Sequence, residues 1–200
     1  MFFRRKKENS KPPQWLIVGL GNPGLKYQFN RHNAGYLCID VLSRQLGVTV
    51  GNVKFHALTA PCDIAGIPCL LMKPTTYMNN SGRAVAAAAQ AYGIAPERVL
   101  VLTDDISFDA GVLRIRRKGS DGGQKGLRSI AACLGTEEYP RIKLGVGKKP
   151  SPQASTADWV LSDFFPEEKE ALRGACERAC EAIALIVRGE MDEAMARYTS

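Results

Sequence analysis

LIVGLGNPG, Leu16 to Gly24, decides how the rest of the chain is read. It is an apolar, branched run ending on a glycine turn, the pattern of a strand covered on both faces. Gly19, Gly21 and Gly24 also fit the G-x-G-x-x-G spacing that cradles a dinucleotide. That role requires a helix opening at the glycines, so that its amides meet the pyrophosphate, and an acid after a second strand. Here Pro23 and the polar stretch LKYQFNRH delay the helical pattern, which runs from Asn33 to about Leu46. The acid at a suitable distance, Asp40, lies inside that helix. The stretch therefore reads as a strand and a tight turn presenting Asn22, and no cofactor is expected.

Working outward, KFHALTAPCDIAG and IPCLLMKP predict two strands joined by a turn at Ala65 and Gly66. SGRAVAAAAQAYGI predicts a helix, with Ser81 as its cap, alanines as its body and Gly93 as its stop. VLVLTDD, GVLRIRRKG and RIKLGVG predict further strands, and GSDGGQKG, Gly119 to Gly126, a flexible basic loop. From Pro166 onward one or two amphipathic helices follow, with acids in the first turn where the helix dipole favours them. Helices alternating with buried strands predict an α/β fold: a single domain with a twisted, mixed, largely parallel sheet flanked by helices. Two hundred residues at 45% hydrophobic content suffice for one core, assigned to residues 15–200, with residues 1–14 as a mobile basic arm.

Charge is informative by location. Residues 1–14 hold five basic residues against Glu8, and residues 112–149 hold ten against Asp121, Glu137 and Glu138. Positive charge gathered in a loop-rich region suits a polyanion, nucleic acid first. No basic head followed by an apolar stretch reads as a secretory signal, and no run of about eighteen apolar residues reads as a membrane span. The six cysteines sit mostly in apolar or helical patterns, so reduced packing residues in a cytoplasmic setting are expected. No close Cys/His spacing suggests a metal site.

In a parallel sheet, ligands gather at the carboxyl ends of the strands. GNPG, PTTYMNNSG and TDD each lie just past a strand end, so they are expected to share one crevice. His32 sits in a polar loop ahead of a helix, and Asp104 and Asp105 close a buried strand. A carboxylate on one imidazole nitrogen leaves the other free to take a proton from water. No G-x-S-x-G elbow is present and no cysteine falls in these clusters, which makes activated water the nucleophile. Carboxamides at Asn22, Asn79 and Asn80 suit an acyl or peptidyl substrate.

GLGNPGLKYQFNRHNAG resembles the N-P-G-x-x-Y-x-x-T-R-H-N-x-G block of bacterial-type peptidyl-tRNA hydrolases, and KPTTYMNNSGRAV, TDD, GGQKGLRSI and RIKLGVG follow in that family's order. The resemblance runs from about residue 15 to the C-terminal helices. It implies hydrolysis of the ester between a peptide and the terminal ribose of tRNA, without a metal, by a cytoplasmic enzyme expected to be a monomer. It makes His32 the base, Asp104 its holder and Asn22 the residue favouring N-blocked substrates. Tyr27, Tyr77 and Asn79 would bind the peptidyl group and terminal adenosine, and Arg116 and Lys143 would grip tRNA phosphate. Gln124-Lys125-Gly126 stands where the family usually has His-Asn-Gly, so Lys125 would meet the substrate end as a point charge. The alternative the resemblance leaves is an RNA-binding relative that has lost catalysis.

Overall fold

Leu16, Val18 and Leu20 alternate with Trp15 and Ile17, and the alternation sends the two sets into separate cores on opposite faces of one sheet. The structure, a computed structural model, describes residues 11–199, so most of the arm expected at 1–14 lies outside the described residues. The first strand, β1 (Trp15–Gly19), runs through two short 3₁₀ turns, Leu25–Tyr27 and Arg31–Asn33, into α1 (Ala34–Gln45). The chain continues through β2 (Asn52–Lys54), β3 (Ala57–Ile64) and β4 (Ile67–Pro74), then a 3₁₀ turn at Met78–Asn80 and α2 (Ser81–Tyr92). β5 (Val99–Asp105), β6 (Leu113–Arg116), α3 (Lys125–Leu134) and β7 (Arg141–Gly145) follow, then α4 (Thr156–Val160), α5 (Pro166–Val187) and α6 (Met191–Tyr198).

The seven strands form one sheet in the order β2-β3-β4-β1-β5-β7-β6. The central four, β4-β1-β5-β7, are parallel, and both edges are antiparallel. All four central strands therefore end at the same side, which is what brings their terminal loops together. α1 and α5 cover one face, where Ile39, Leu42 and Ile183 pack with Ile17 and Leu100. α2 and α3 cover the other, where Ala84, Val85, Ala88 and Ile130 pack with Val18 and Val101. Each large aliphatic buried this way contributes about 1.5–3 kcal/mol.

Close backbone approach sets how near α1 comes to the sheet. A Cβ on Gly19 would lie 2.4 Å from the Gly35 carbonyl oxygen, and one on Gly35 would lie 2.3 Å from that of Leu102. The first glycine of the opening motif is thus used for helix-on-strand packing. Gly24 has φ 109°, a backbone state that side chains rarely adopt, and it turns the chain towards the two 3₁₀ turns.

Two local expectations change. Ser81 is the first helical residue of α2 rather than its cap, and its hydroxyl donates back to the Met78 carbonyl at 3.0 Å. The segment read as a flexible loop through Gly126 already contains the start of α3, whose apolar face, Leu127 and Ile130, is buried. The cysteines are all free thiols: Cys38, Cys69, Cys176 and Cys180 are buried, Cys62 is half-buried and Cys133 is exposed. Among the described residues no helix is long and apolar enough to cross a membrane.

Candidate active site

The sharp path after β1 is held by a reciprocal pair of carboxamide contacts. The Asn22 amide donates to Asn33 Oδ1 at 2.8 Å, and Asn33 Nδ2 donates to the Asn22 carbonyl at 3.0 Å. Asn33 thereby imitates a strand neighbour and binds the GNPG turn to the start of α1. The Asn22 side chain extends the network: its Oδ1 accepts the Met78 amide at 2.9 Å, drawing in the loop after β4. Its Nδ2 makes no hydrogen bond among the described residues and remains a donor for another molecule. At the same loop, the Tyr36 hydroxyl donates to the Pro74 carbonyl, and burial pushes its pKa well above the usual tyrosine value.

Between these anchors sits Arg31, wholly buried, with its guanidinium 3.8 Å from the Trp159 ring centroid. It forks onto the Glu168 carboxylate, donates to the Val146 carbonyl and reaches Ser162 Oγ at 3.2 Å. The backbone on either side of Arg31 is clamped as well: its amide donates to the Ser162 carbonyl, and Asn30 bridges to Asp163. His32 is therefore presented by a fixed segment.

His32 Nδ1 lies 2.7 Å from Asp104 Oδ2, with the side chains 13% and 3% exposed. A carboxylate can only accept, so Nδ1 carries the hydrogen and the Nε2 lone pair is left for other chemistry. Asp104 comes from the end of β5, where the parallel pairing with β1 places it beside the Asn22 turn. Its second oxygen, Oδ1, accepts from Gln124 Nε2 at 2.9 Å. Gln124 Oε1 in turn accepts the Leu127 amide at 2.9 Å, capping α3.

The structure thus joins His32 to Asp104 directly, and Asn22 to them through Met78, whose sulfur meets Gln124 Nε2 at 3.1 Å and whose amide Asn22 accepts. Tyr27 is half-buried, while Tyr77, Asn79, Lys125 and Arg116 are exposed, and no hydrogen bond ties any of these five to the dyad. Tyr77, at φ 59°, is held in a strained backbone state at the turn that carries Asn79. Lys26 sits 4.7 Å above the Tyr27 ring on the opposite loop. Lys143 is engaged: its ammonium donates to Asp105 Oδ2 at 3.0 Å. Burial by itself would push the Asp105 carboxyl up, but the Ser107 amide and the Lys143 ammonium outweigh it and hold the carboxyl below its usual value. The start of the glycine loop is fastened from beneath, since buried Arg141 donates to the carbonyls of Gly119 and Ser120.

Three residues that build the site were not singled out from the sequence for these roles: Arg31, Glu168 and Gln124. Gln124 had a usable signal, because a polar residue standing three before Leu127 in an i, i+3, i+4, i+7 apolar pattern occupies a cap position. Arg31 and Glu168 had none, being 137 residues apart.

Residues 16–200 match the family model described as peptidyl-tRNA hydrolase. A peptidyl-tRNA hydrolase of Caldicellulosiruptor bescii is 46% identical over 181 residues, covering 90% of this chain and 94% of that protein. One from Moorella thermoacetica is 46% identical over 184 residues, with 92% and 96% covered. The crystal structure of peptidyl-tRNA hydrolase from Acinetobacter baumannii superposes with a TM-score of 0.88 at 35% identity, covering 93% of this chain and 94% of that one.

Proposed function

The chain belongs to the peptidyl-tRNA hydrolase family, and from that premise we propose that His32, held by Asp104, is the base through which it cleaves its substrate. The reaction is hydrolysis of the ester that joins a peptide to tRNA. His32 Nε2 takes a proton from water as the water oxygen bonds to the ester carbonyl carbon. Asp104 holds the ring in the required tautomer and balances the imidazolium that forms. Asn22 Nδ2 donates to the carbonyl oxygen as that oxygen gains charge. The bond between the carbonyl carbon and the ribose oxygen then breaks, and the imidazolium gives its proton to that oxygen, which leaves as the free hydroxyl. An ester has a better leaving group than an amide, so a positioned base and a preset donor suffice without a metal.

The observation that carries this is the 2.7 Å contact between His32 Nδ1 and Asp104 Oδ2, beside an Asn22 whose side-chain Nδ2 has no partner among the described residues. The same intact dyad speaks against an RNA-binding relative without catalysis. Tyr27, Tyr77 and Asn79 on the surrounding loops line the approach for the peptidyl group and terminal nucleoside, and Arg116 and Lys125, with Lys143 behind them, meet tRNA phosphates. The proposal includes a cytoplasmic monomer. The test compares N-acetyl-aminoacyl-tRNA with free aminoacyl-tRNA as substrates, for wild type and His32→Ala. Wild type should cleave the blocked substrate and spare the free one, and His32→Ala should cleave neither. A variant as active as wild type would remove His32 from the mechanism.

A further inference from the structure

We propose that Gln124 is a positioning residue for the reaction: its amide holds the outer oxygen of Asp104 and so sets the orientation and effective charge of the carboxylate behind His32. This role rests on the dyad proposed above. The two oxygens of Asp104 have separate partners, His32 at Oδ2 and Gln124 at Oδ1. Thr103 Oγ1, at 3.5 Å from Oδ1, is too distant to share the task. Asp104 is 4% exposed, so bulk water cannot readily replace a lost donor.

The amide cannot turn over without loss. Gln124 Oε1 accepts the Leu127 amide while Nε2 faces the carboxylate, both at 2.9 Å. Rotating the carboxamide by half a turn would set oxygen against carboxylate and N–H against N–H. The donor is therefore fixed to the first turn of α3, whose buried Leu127 and Ile130 lock that turn to the sheet. Nε2 also lies 3.1 Å from the Met78 sulfur, and the Met78 amide is the group that Asn22 accepts. One carboxamide thus touches both the base's holder and the residue that fixes the oxyanion donor.

The charged groups near Asp104 are His32, the adjoining Asp105 with its Lys143 partner, and exposed Lys125. Of these only His32 contacts the Asp104 carboxylate. Gln124 carries no charge at any working pH, so its donor is present throughout the titration of His32. Removing it leaves Asp104 less compensated, which strengthens its hold on the imidazolium and raises the pH at which His32 becomes a free base.

The test uses Gln124→Met, which loses both contacts, and Gln124→Glu, which keeps the acceptor for the Leu127 amide but loses the donor. For N-acetyl-aminoacyl-tRNA, Gln124→Met should lower kcat about tenfold with little change in KM, and should move the acid limb of the kcat profile up by roughly half to one pH unit. Gln124→Glu should move that limb further, and it should also lower Tm, because it sets a second carboxylate oxygen against Asp104 Oδ1. If both variants lose Tm but keep the wild-type acid limb and kcat, Gln124 is a helix cap and the proposal falls. His32→Ala measured alongside separates the two claims. An active His32→Ala overturns the dyad itself, whereas an inactive one with unmoved acid limbs overturns only the role of Gln124.

Discussion

The Arg31 guanidinium, with no solvent exposure, forks onto the Glu168 carboxylate at 3.0 and 2.7 Å from the position immediately before His32. Glu168 also accepts the Phe165 amide at 2.8 Å, so one carboxylate fastens both the start of α5 and the segment bearing the base. Replacing it with alanine leaves a charge in the interior with only carbonyl, hydroxyl and ring contacts. Glu168→Ala should lower unfolding free energy by about 3 kcal/mol, read by urea denaturation. A loss below about 1 kcal/mol would mean that Val146, Ser162 and Trp159 compensate the guanidinium by themselves.

The proposed mechanism gives Asn22 a second job beside holding the Met78 amide, and the two are separable. Asn22→Asp keeps an oxygen for the Met78 amide and removes the N–H, so Tm should stay close to wild type while kcat falls on the order of a hundredfold. A fully active Asn22→Asp would show that Nδ2 does not serve the developing oxyanion.

Lys125 is exposed at the first residue of α3, with no hydrogen bond to the dyad. Lys125→Asn should lower KM and leave kcat nearly unchanged, the signature of a change in ground-state binding alone. A large rise in kcat would place this side chain in the chemical step. Its companion measurement is salt: Arg116→Ala should flatten the dependence of log affinity on log salt concentration by about 0.7–0.9 if one phosphate contact is lost.

Asp105 makes stability depend on acid. Its carboxyl is held below the usual value in the fold, so its contribution is complete above the unfolded carboxyl's value near 4 and is lost as pH falls through the lowered one. The Tm difference between wild type and Asp105→Asn should be largest near neutrality and shrink below about pH 4. A difference that stays constant down to about pH 2 would mean that the Lys143 pair adds nothing to folding.

That His32, Asn22 and Asp104 come together was legible because parallel strands deliver their ends to one side, and each residue stands at or beyond such an end. α3 was obscured by its own approach: two glycines and a run of basic residues resemble a solvent loop, and its cap is a glutamine rather than serine, threonine or aspartate. The bond from Gln124 to Asp104 depends on how α3 lies over the ends of β5 and β7, which no local pattern encodes. Lys143 reads as a free cation until strand register is known, since only the β5–β7 pairing reveals Asp105 beside it. Ser81 was misplaced by one residue because a 3₁₀ turn at Met78–Asn80 runs straight into α2 and hides the boundary.

The twin hydrogen bonds between Asn22 and Asn33 have a mechanical meaning. They fasten the turn that carries Asn22 to the segment that carries His32, through anchors eleven residues apart, as one piece. In the proposed mechanism the donor and the base are thus held together before any substrate arrives. A loop motion that admitted or released substrate would leave this hydrogen-bonded piece intact.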